Sequence, residues 1–329
     1  MSVPVLRALT KTYKNLKITV LTRKLYAPFF STLPNVSVYE AKLKDEHKGF
    51  FGLFKLSKEL KKIGITKVAD IHNVLRTNIL KTFFLGKSFK QIDKGRTEKK
   101  QLVSGEKFEQ LKTTHQRYAD VFEALGYKVD LSNPEFEPKA ILSSNLKDLI
   151  KFSSDKKNIG IAPFAAHEGK MYDLFQMEVA IKELAKTNTV VLFGGGKKEI
   201  SLLNEIELRN DNVVSVAGKL SFKEELDVIS NLSIMIAMDS GNAHMAAMYG
   251  VQVITIWNVT HPFAGFYPFG QSLENALLAD KKKYPKIPTS IYGNKYPEGY
   301  ESAASKTISP KQITAKVKEV IGDIKGEVK

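Results

Sequence analysis

Through the second half of the chain, short apolar runs take turns with segments in which apolar residues recur every three or four positions. The runs Ile159 to Ala162, Thr189 to Phe193, Val213 to Val216, Ser233 to Met238, Val251 to Trp257 and Ala276 to Ala279 predict strands. Between them, Asp173 to Lys186, Lys198 to Leu208, Ser221 to Ser230 and Asn242 to Tyr249 predict helices, and a last helix is expected near Pro310 to Ile321. Strands apolar on both faces and separated by helices belong to a parallel sheet covered on both sides.

The first half carries the same rhythm more faintly. Val5, Leu6, Leu9 and Tyr13 fall at helical spacing, Leu16 to Thr22, Val36 to Tyr39 and Lys67 to Ile71 predict strands, and Gly52 to Lys62 and Thr113 to Leu125 predict helices. From Lys81 to Lys100 there is little periodicity, and Lys87, Lys90, Lys94, Arg96, Lys99 and Lys100 suggest an exposed basic loop. A polar stretch from Asp130 to Asp155, with Pro134 and Pro138, is the expected linker. The pattern therefore predicts two α/β domains in tandem, residues 1–145 and 156–305, and a terminal helical segment, 309–326. No short internal repeat is visible.

Composition narrows the class. A chain of 329 residues with 43% hydrophobic and 26% charged residues is that of a folded globular protein. With no cysteine, thiolate metal sites, disulfides and cysteine nucleophiles are excluded, and a cytoplasmic setting is the default expectation. No apolar run is long enough to span a bilayer, and the opening Met1-Ser2-Val3-Pro4-Val5 does not resemble a signal peptide. The net charge of +15 favours attraction to a polyanion such as nucleic acid, an anionic membrane or a phosphorylated substrate. No recognition helix or aromatic RNA-binding signature accompanies it, so nucleic acid is not expected as a partner.

Three strand-to-helix junctions carry candidate chemistry. Met238-Asp239-Ser240-Gly241-Asn242-Ala243-His244 follows an apolar strand, where ligands of open α/β sheets bind. Free N–H groups at the start of the helix would hold a phosphate, Gly241 permits close approach, and His244 can donate to the same group. The plainer alternative is that Asp239 and Ser240 cap the helix and His244 packs on its neighbours. Ile161 to Lys170 is a second junction, with small residues Ala165 and Ala166 and a lysine able to face a diphosphate. The third, Gly194-Gly195-Gly196 before Lys197-Lys198-Glu199, fits neither a P-loop nor a dinucleotide fingerprint and is by itself a tight turn.

The D-S-G-x-x-H of Asp239 to His244, with Thr260-x-Pro262, Pro268-x-Gly270 and the two other junctions in order, resembles glycosyltransferase family 9, the ADP-heptose:lipopolysaccharide heptosyltransferases. The resemblance implies a GT-B fold of two Rossmann-like domains facing across a cleft, with the 309–326 segment crossing back to the N-terminal domain. It implies transfer of a heptose or related sugar from a nucleotide-sugar, ADP-heptose, to a phosphorylated lipid-linked acceptor of the lipopolysaccharide core or lipid A type with inversion, and neither metal nor cofactor. Asp239, Ser240, Gly241, Asn242, His244, Lys170, Ala165, Ala166, Gly194 and Glu199 would surround the donor, with His244 and Lys170 acting on the leaving diphosphate. Asp70-Ile71-His72-Asn73-Val74-Leu75-Arg76 resembles the family's D-L-H-x-x-L-R segment, which makes His72, Asn73, Arg76, Lys94, Arg96 and Arg117 candidates for the acceptor. Peripheral contact with the inner face of the cytoplasmic membrane follows from such an acceptor.

One departure bears on activity. Members of the family open with an apolar strand and a Gly-Asp pair whose aspartate is the general base, and this sequence starts just past that motif. A sheet short of its central strand and weak or absent transfer are then expected, and a nucleotide-sugar binder without turnover is the alternative. A nucleotide-sugar epimerase of the same fold is the enzymatic rival.

Overall fold

The computed structural model describes residues 1–153 and 155–322, so the end of the expected 309–326 segment, residues 323–326, lies outside the described residues. Contacts divide the chain into two compact units, Met1–Arg96 with Lys112–Glu135, and Thr97–Leu111 with Phe136 onward.

In the first unit the order is α1 (Ser2–Thr12), β1 (Ile18–Thr22), β2 (Val36–Glu40), α2 (Gly49–Lys62), β3 (Lys67–Asp70), α3 (Leu75–Phe83) and β4 (Ser88–Gln91). Next comes α4 (Arg96–Ser104), which begins at the unit's edge, and then α5 (Thr114–Glu123). Strand β1 pairs in parallel with β2, and β3 with β4, as two separate two-stranded sheets among the described residues. One apolar cluster underlies both pairs: Leu53, Leu56 and Leu60 of α2 and Leu80 of α3 pack with Phe84, against Leu21 of β1 and Val68 of β3. Helix α5 starts with a reciprocal cap in which the Thr113 hydroxyl accepts from the Gln116 amide and the Gln116 side chain accepts from the Thr113 amide.

The segment Lys81 to Lys100 is not a loop. It contains the end of α3, β4 and the start of α4, and Lys99 is buried with its ammonium 4.3 Å from the centre of the Phe266 ring. The Ser88-Phe89-Lys90-Gln91 strand is too short to show a period, and pairing with β3 holds it in place.

Among the described residues the second unit holds a six-stranded, wholly parallel sheet. Its elements are α6 (Ser144–Leu149), β5 (Asn158–Ala162), α7 (Leu174–Leu184), β6 (Thr189–Leu192), α8 (Lys197–Arg209), β7 (Val213–Ser215), α9 (Phe222–Ile229) and β8 (Ile234–Met238). They continue with α10 (Gly241–Met248), β9 (Gln252–Trp257), β10 (Ala276–Leu278), α11 (Ala303–Thr307) and α12 (Pro310–Ile321). The strand order is β10-β9-β8-β5-β6-β7. Every residue of β5, β6 and β8 is buried, which is why these strands read as unbroken apolar runs.

Alternate side chains feed two cores. Ile159, Ile161, Ile234, Ile236 and Ile254 pack with Met177 and Ile181 of α7, Leu203 of α8, and Ile313 and Val317 of α12. On the other face Val191, Met235, Ala237 and Val253 pack with Val228 of α9, Ala243, Ala246 and Ala247 of α10, and Leu146 of α6. Helix α6 lies inside the expected polar linker: the Ser143 hydroxyl caps it by accepting from the Leu146 amide, and Leu146 and Ile150 are buried. No helix among the described residues is long and apolar enough to cross a membrane.

Candidate functional site

The sheet order of the second unit creates one topological switch point. From β5 the chain steps outward through β6 to β7, whereas β8, β9 and β10 build on the other side of β5. Loops leaving the carboxyl ends of β5 and β8 therefore diverge around a crevice, the position where open α/β sheets bind ligands. The β5 loop ends in Lys170 and the β8 loop is Asp239-Ser240, so sheet topology alone brings these distant segments together.

They meet directly. Lys170 Nζ is 2.7 Å from Asp239 Oδ2 and also donates to the Asp239 carbonyl at 3.3 Å, with side-chain exposures of 13% and 5%. Burial pushes the Asp239 carboxyl above its ordinary range, even with Lys170 and the Thr260 hydroxyl favouring the charged form. The stem of Lys170 is held by a packed neighbourhood. A Cβ added at Gly293 would sit 2.6 Å from Lys170 Cγ, one added at Gly169 would sit 2.4 Å from the Gly293 carbonyl, and the Val259 amide donates to the Gly169 carbonyl. Gly293 takes φ of +72°, so glycine is required there both for backbone conformation and for space.

Helix α10 begins without a side-chain cap. Ser240 occupies the capping position with extended φ and ψ, but its hydroxyl makes no capping bond and is buried without a partner among the described residues. The plain capping role of Ser240 is thus absent, and the amides of the first turn keep their unfilled hydrogen-bonding capacity. A Cβ added at Gly241 would meet nothing within 4 Å, so the helix start opens onto free space. His244 lies one turn further, half-buried. The Asn242 side chain bonds Glu225 of α9, which opposes the upward push of burial on that carboxyl; what Asn242 offers a ligand is its backbone.

The glycine loop leaves the carboxyl end of β6, the strand beside β5. Gly196 has φ of +82° and opens α8, and the Gly195 amide donates to Glu199 Oε2 at 2.7 Å. One carboxylate oxygen of Glu199 therefore shapes its own loop. Gly195 faces open space, whereas Gly194 is hemmed by Leu203, Glu199 and Phe164. Ala165 is half-buried and Ala166 exposed on the β5 loop.

In the first unit Asp70 ends β3 as a turn former. Its Oδ1 accepts from the amides of His72 and Asn73 at 3.0 and 2.8 Å, and Gln91 donates to Oδ2 at 3.0 Å. Burial works against its charge, but these donors outweigh it and hold the carboxyl below its ordinary range. Asn73, with φ of +45°, donates to the Ile92 carbonyl, tying the β3 end to the β4 end. His72, Asn73, Arg76, Lys94 and Arg96 consequently leave one end of the β3–β4 pair. Arg76, exposed in the first turn of α3, sits against the helix dipole, an arrangement an anion would relieve.

Arg117 differs from the expectation. It is 4% exposed, its Nε donates to the Lys112 carbonyl and its Nη1 to the Asp93 carbonyl, and a Cβ on Gly95 would overlap its guanidinium. It braces the loop that presents Lys94 and Arg96 and is not itself presented. Sequence reasoning missed Gly293 and the half-buried Tyr296, whose hydroxyl donates to Glu168 beside Lys170. Neither stands in a pattern that would single it out.

Residues 53–294 match the model of glycosyltransferase family 9 (heptosyltransferase), more than half of the chain. The chain belongs to glycosyltransferase family 9. A lipopolysaccharide core heptosyltransferase of Haemophilus influenzae, OpsX, is 23% identical over 76% of this chain and 72% of its own length. Lipopolysaccharide heptosyltransferase 1 of Campylobacter coli is 26% identical over 60% of this chain, and the match spans only 56% of that protein. The solved ADP-heptose lipopolysaccharide heptosyltransferase II of E. coli superposes with a TM-score of 0.68 at 17% identity, covering 97% of this chain and 94% of that one. This family 9 chain therefore has the GT-B type of fold, each unit an α/β layer of Rossmann-like construction.

Proposed function

We propose that the chain binds a nucleotide-sugar, ADP-heptose, at the β5–β8 switch point and passes its heptose to a lipopolysaccharide-core acceptor with inversion. The observation that carries this reading is the uncapped start of α10, open over Gly241 and placed with the buried Lys170–Asp239 pair. A helix start with free amides accepts a diphosphate, and a lysine beside it offsets the charge. The relatives' names agree in class: two are lipopolysaccharide heptosyltransferases, and the E. coli protein is named for ADP-heptose.

In the proposed reaction the acceptor hydroxyl attacks the anomeric carbon in a single displacement and gives up its proton to water, and the bond to the diphosphate breaks on the opposite face, the diphosphate leaving with the bonding electrons. Negative charge grows on the leaving diphosphate. The α10 amides, Lys170 and His244 meet that charge with donors fixed before reaction, which is where an electrostatic contribution is largest. His72, Asn73, Arg76, Lys94 and Arg96 hold acceptor phosphates, and the protein works peripherally at the inner membrane face. Ala165, Ala166, Gly194 and Glu199 border the nucleoside.

Calorimetric titration of the whole chain with ADP, UDP and GDP tests the donor half. ADP should bind most tightly, and Gly241→Val should abolish binding while the melting temperature stays put. Failure of all three nucleotides to bind would refute the site.

A further inference from the structure

Helix α2 presents an exposed face on which phenylalanine and lysine interleave. At about 100° per residue, Phe50, Lys61, Phe54, Lys58, Phe51, Lys62 and Lys55 follow one another around an arc of roughly 140° that contains no acidic residue. The opposite side, Leu53, Leu56 and Leu60, is buried in the unit's core, and Ser57 is buried at the edge beside Phe50. Phe51 is 84% exposed and Phe50 56%. Glu59, just past the edge of the arc, accepts from the Tyr39 hydroxyl, contacts His47 and lies 4.0 Å from Lys55, and Glu46, ahead of the helix, pairs with Lys42 and Lys55, so Lys58, Lys61 and Lys62 carry the charge of the face.

The rings form one body. Phe50 and Phe54 each lie 5.3 Å from Phe83 at the end of α3, and Phe50 lies 5.8 Å from Phe51. Leu85, two residues after Phe83, is 85% exposed, and Lys48, two residues before Phe50, is exposed as well. The base of this face is closely packed: a Cβ on Gly52 would lie 2.4 Å from the His47 carbonyl carbon, so the backbone of residues 46–47 lies directly against the first turn of α2. The patch sits at the far end of α3 from Arg76, about 10 Å along the helix axis.

We infer that this face docks on an anionic lipid surface, the phenylalanines entering the headgroup boundary while the lysines reach to phosphates. Exposed rings in a contiguous cluster are costly in water and favourable at an interface, and lysine stems cover apolar surface while their ammonium groups stay wet. The net charge of +15 draws the chain to such a surface. Nucleic acid fits less well, because the rings contact one another at interplanar angles of 67–87°, edge against face, and leave no parallel stacking platform. The inference gives the membrane contact proposed above a surface. Its test needs no turnover, so it can fail while the transfer reading stands.

The experiment is flotation of the whole protein with vesicles of phosphatidylglycerol in phosphatidylethanolamine, beside vesicles of phosphatidylcholine alone. Binding should be confined to the anionic vesicles and weaken with salt. Phe50→Ser with Phe51→Ser should lower partitioning by about tenfold per ring, and Lys58→Glu with Lys62→Glu by at least about fivefold per charge. Melting temperatures should hold, since the replaced side chains are exposed. Equal binding to neutral vesicles, no vesicle binding, or indifference to both pairs of substitutions would overturn it. So would a dimer dissolved by Phe51→Ser, or oligonucleotide binding lost with the two serines in the absence of vesicle binding.

Discussion

Replacing Lys170 with methionine separates what the lysine does for the fold from what it does for a diphosphate. The substitution keeps the packed stem against Gly293 but removes the ammonium 2.7 Å from a carboxylate that is 5% exposed. Removing one partner of a buried pair costs about 3–5 kcal/mol, which in a unit of this size lowers the melting temperature by roughly 6–20 °C. The loss depends on pH. Burial raises the Asp239 carboxyl in the fold, so folding favours its protonated form more than the unfolded chain does, a contribution complete below the ordinary value of 3.8. It is lost as pH rises through the folded value. Without Lys170 that value moves higher still, so the variant should match the parent near pH 4 and fall furthest behind at neutral pH. Thermal melts across this range give the stability, and ADP calorimetry gives the affinity. Adding Asp239→Asn should restore most of the melting temperature by removing the orphaned charge, while ADP affinity stays low. If the double variant regains both, Lys170 is a structural partner only and its place at the diphosphate falls.

Arg117→Ala should destabilise by about 2–3 kcal/mol, because carbonyl groups of Lys112 and Asp93 lose a charged donor; chemical denaturation reads this directly, and an unchanged midpoint would return Arg117 to the exposed cations. Burial, with Lys281 nearby, lowers His261 to about 4, and its Nδ1 accepts from the Phe263 amide. A depressed folded value stabilises above the ordinary 6.5 and is lost as pH falls toward 4, a change of roughly 3 kcal/mol. His261→Asn should flatten that part of the stability profile, and a slope kept in the variant would clear His261 of it. Glu199→Ala leaves the Gly195 amide without its acceptor and should cost about 1 kcal/mol; a loss of ADP affinity beyond tenfold at unchanged melting temperature would instead mark direct contact with the nucleoside.

The second unit was legible because its physics is local. A strand buried on both faces has to be apolar throughout, and the helices between strands have to show one apolar stripe, so β5 to β9 stand in the sequence within a residue or two of their observed bounds. The first unit was less so. Its strands are half-buried, α3 follows an Asp70 turn that no periodicity announces, and β4 has four residues whose conformation comes from pairing with β3. Charge misled where neighbours decide. Lys99 reads as a solvated lysine and lies over the Phe266 ring, and Arg117 reads as a surface cation and is folded under Gly95.

The same distinction governs the site. Asp239 to His244 and Lys170 are visible because strand-to-helix junctions mark themselves by residue type, but their meeting depends on β8 lying beside β5, which follows from sheet order and not from either segment. Gly293 shows the limit from the other side. Nothing in its surroundings resembles a motif, yet any side chain there would displace Lys170 by clashing with its stem. A residue that acts through volume and backbone angle leaves no chemical signature in sequence. Gly293→Ala should therefore lower melting temperature and ADP affinity together, whereas Gly241→Val should lower affinity alone. That contrast, read on two glycines, distinguishes a position that shapes the site from one the ligand occupies.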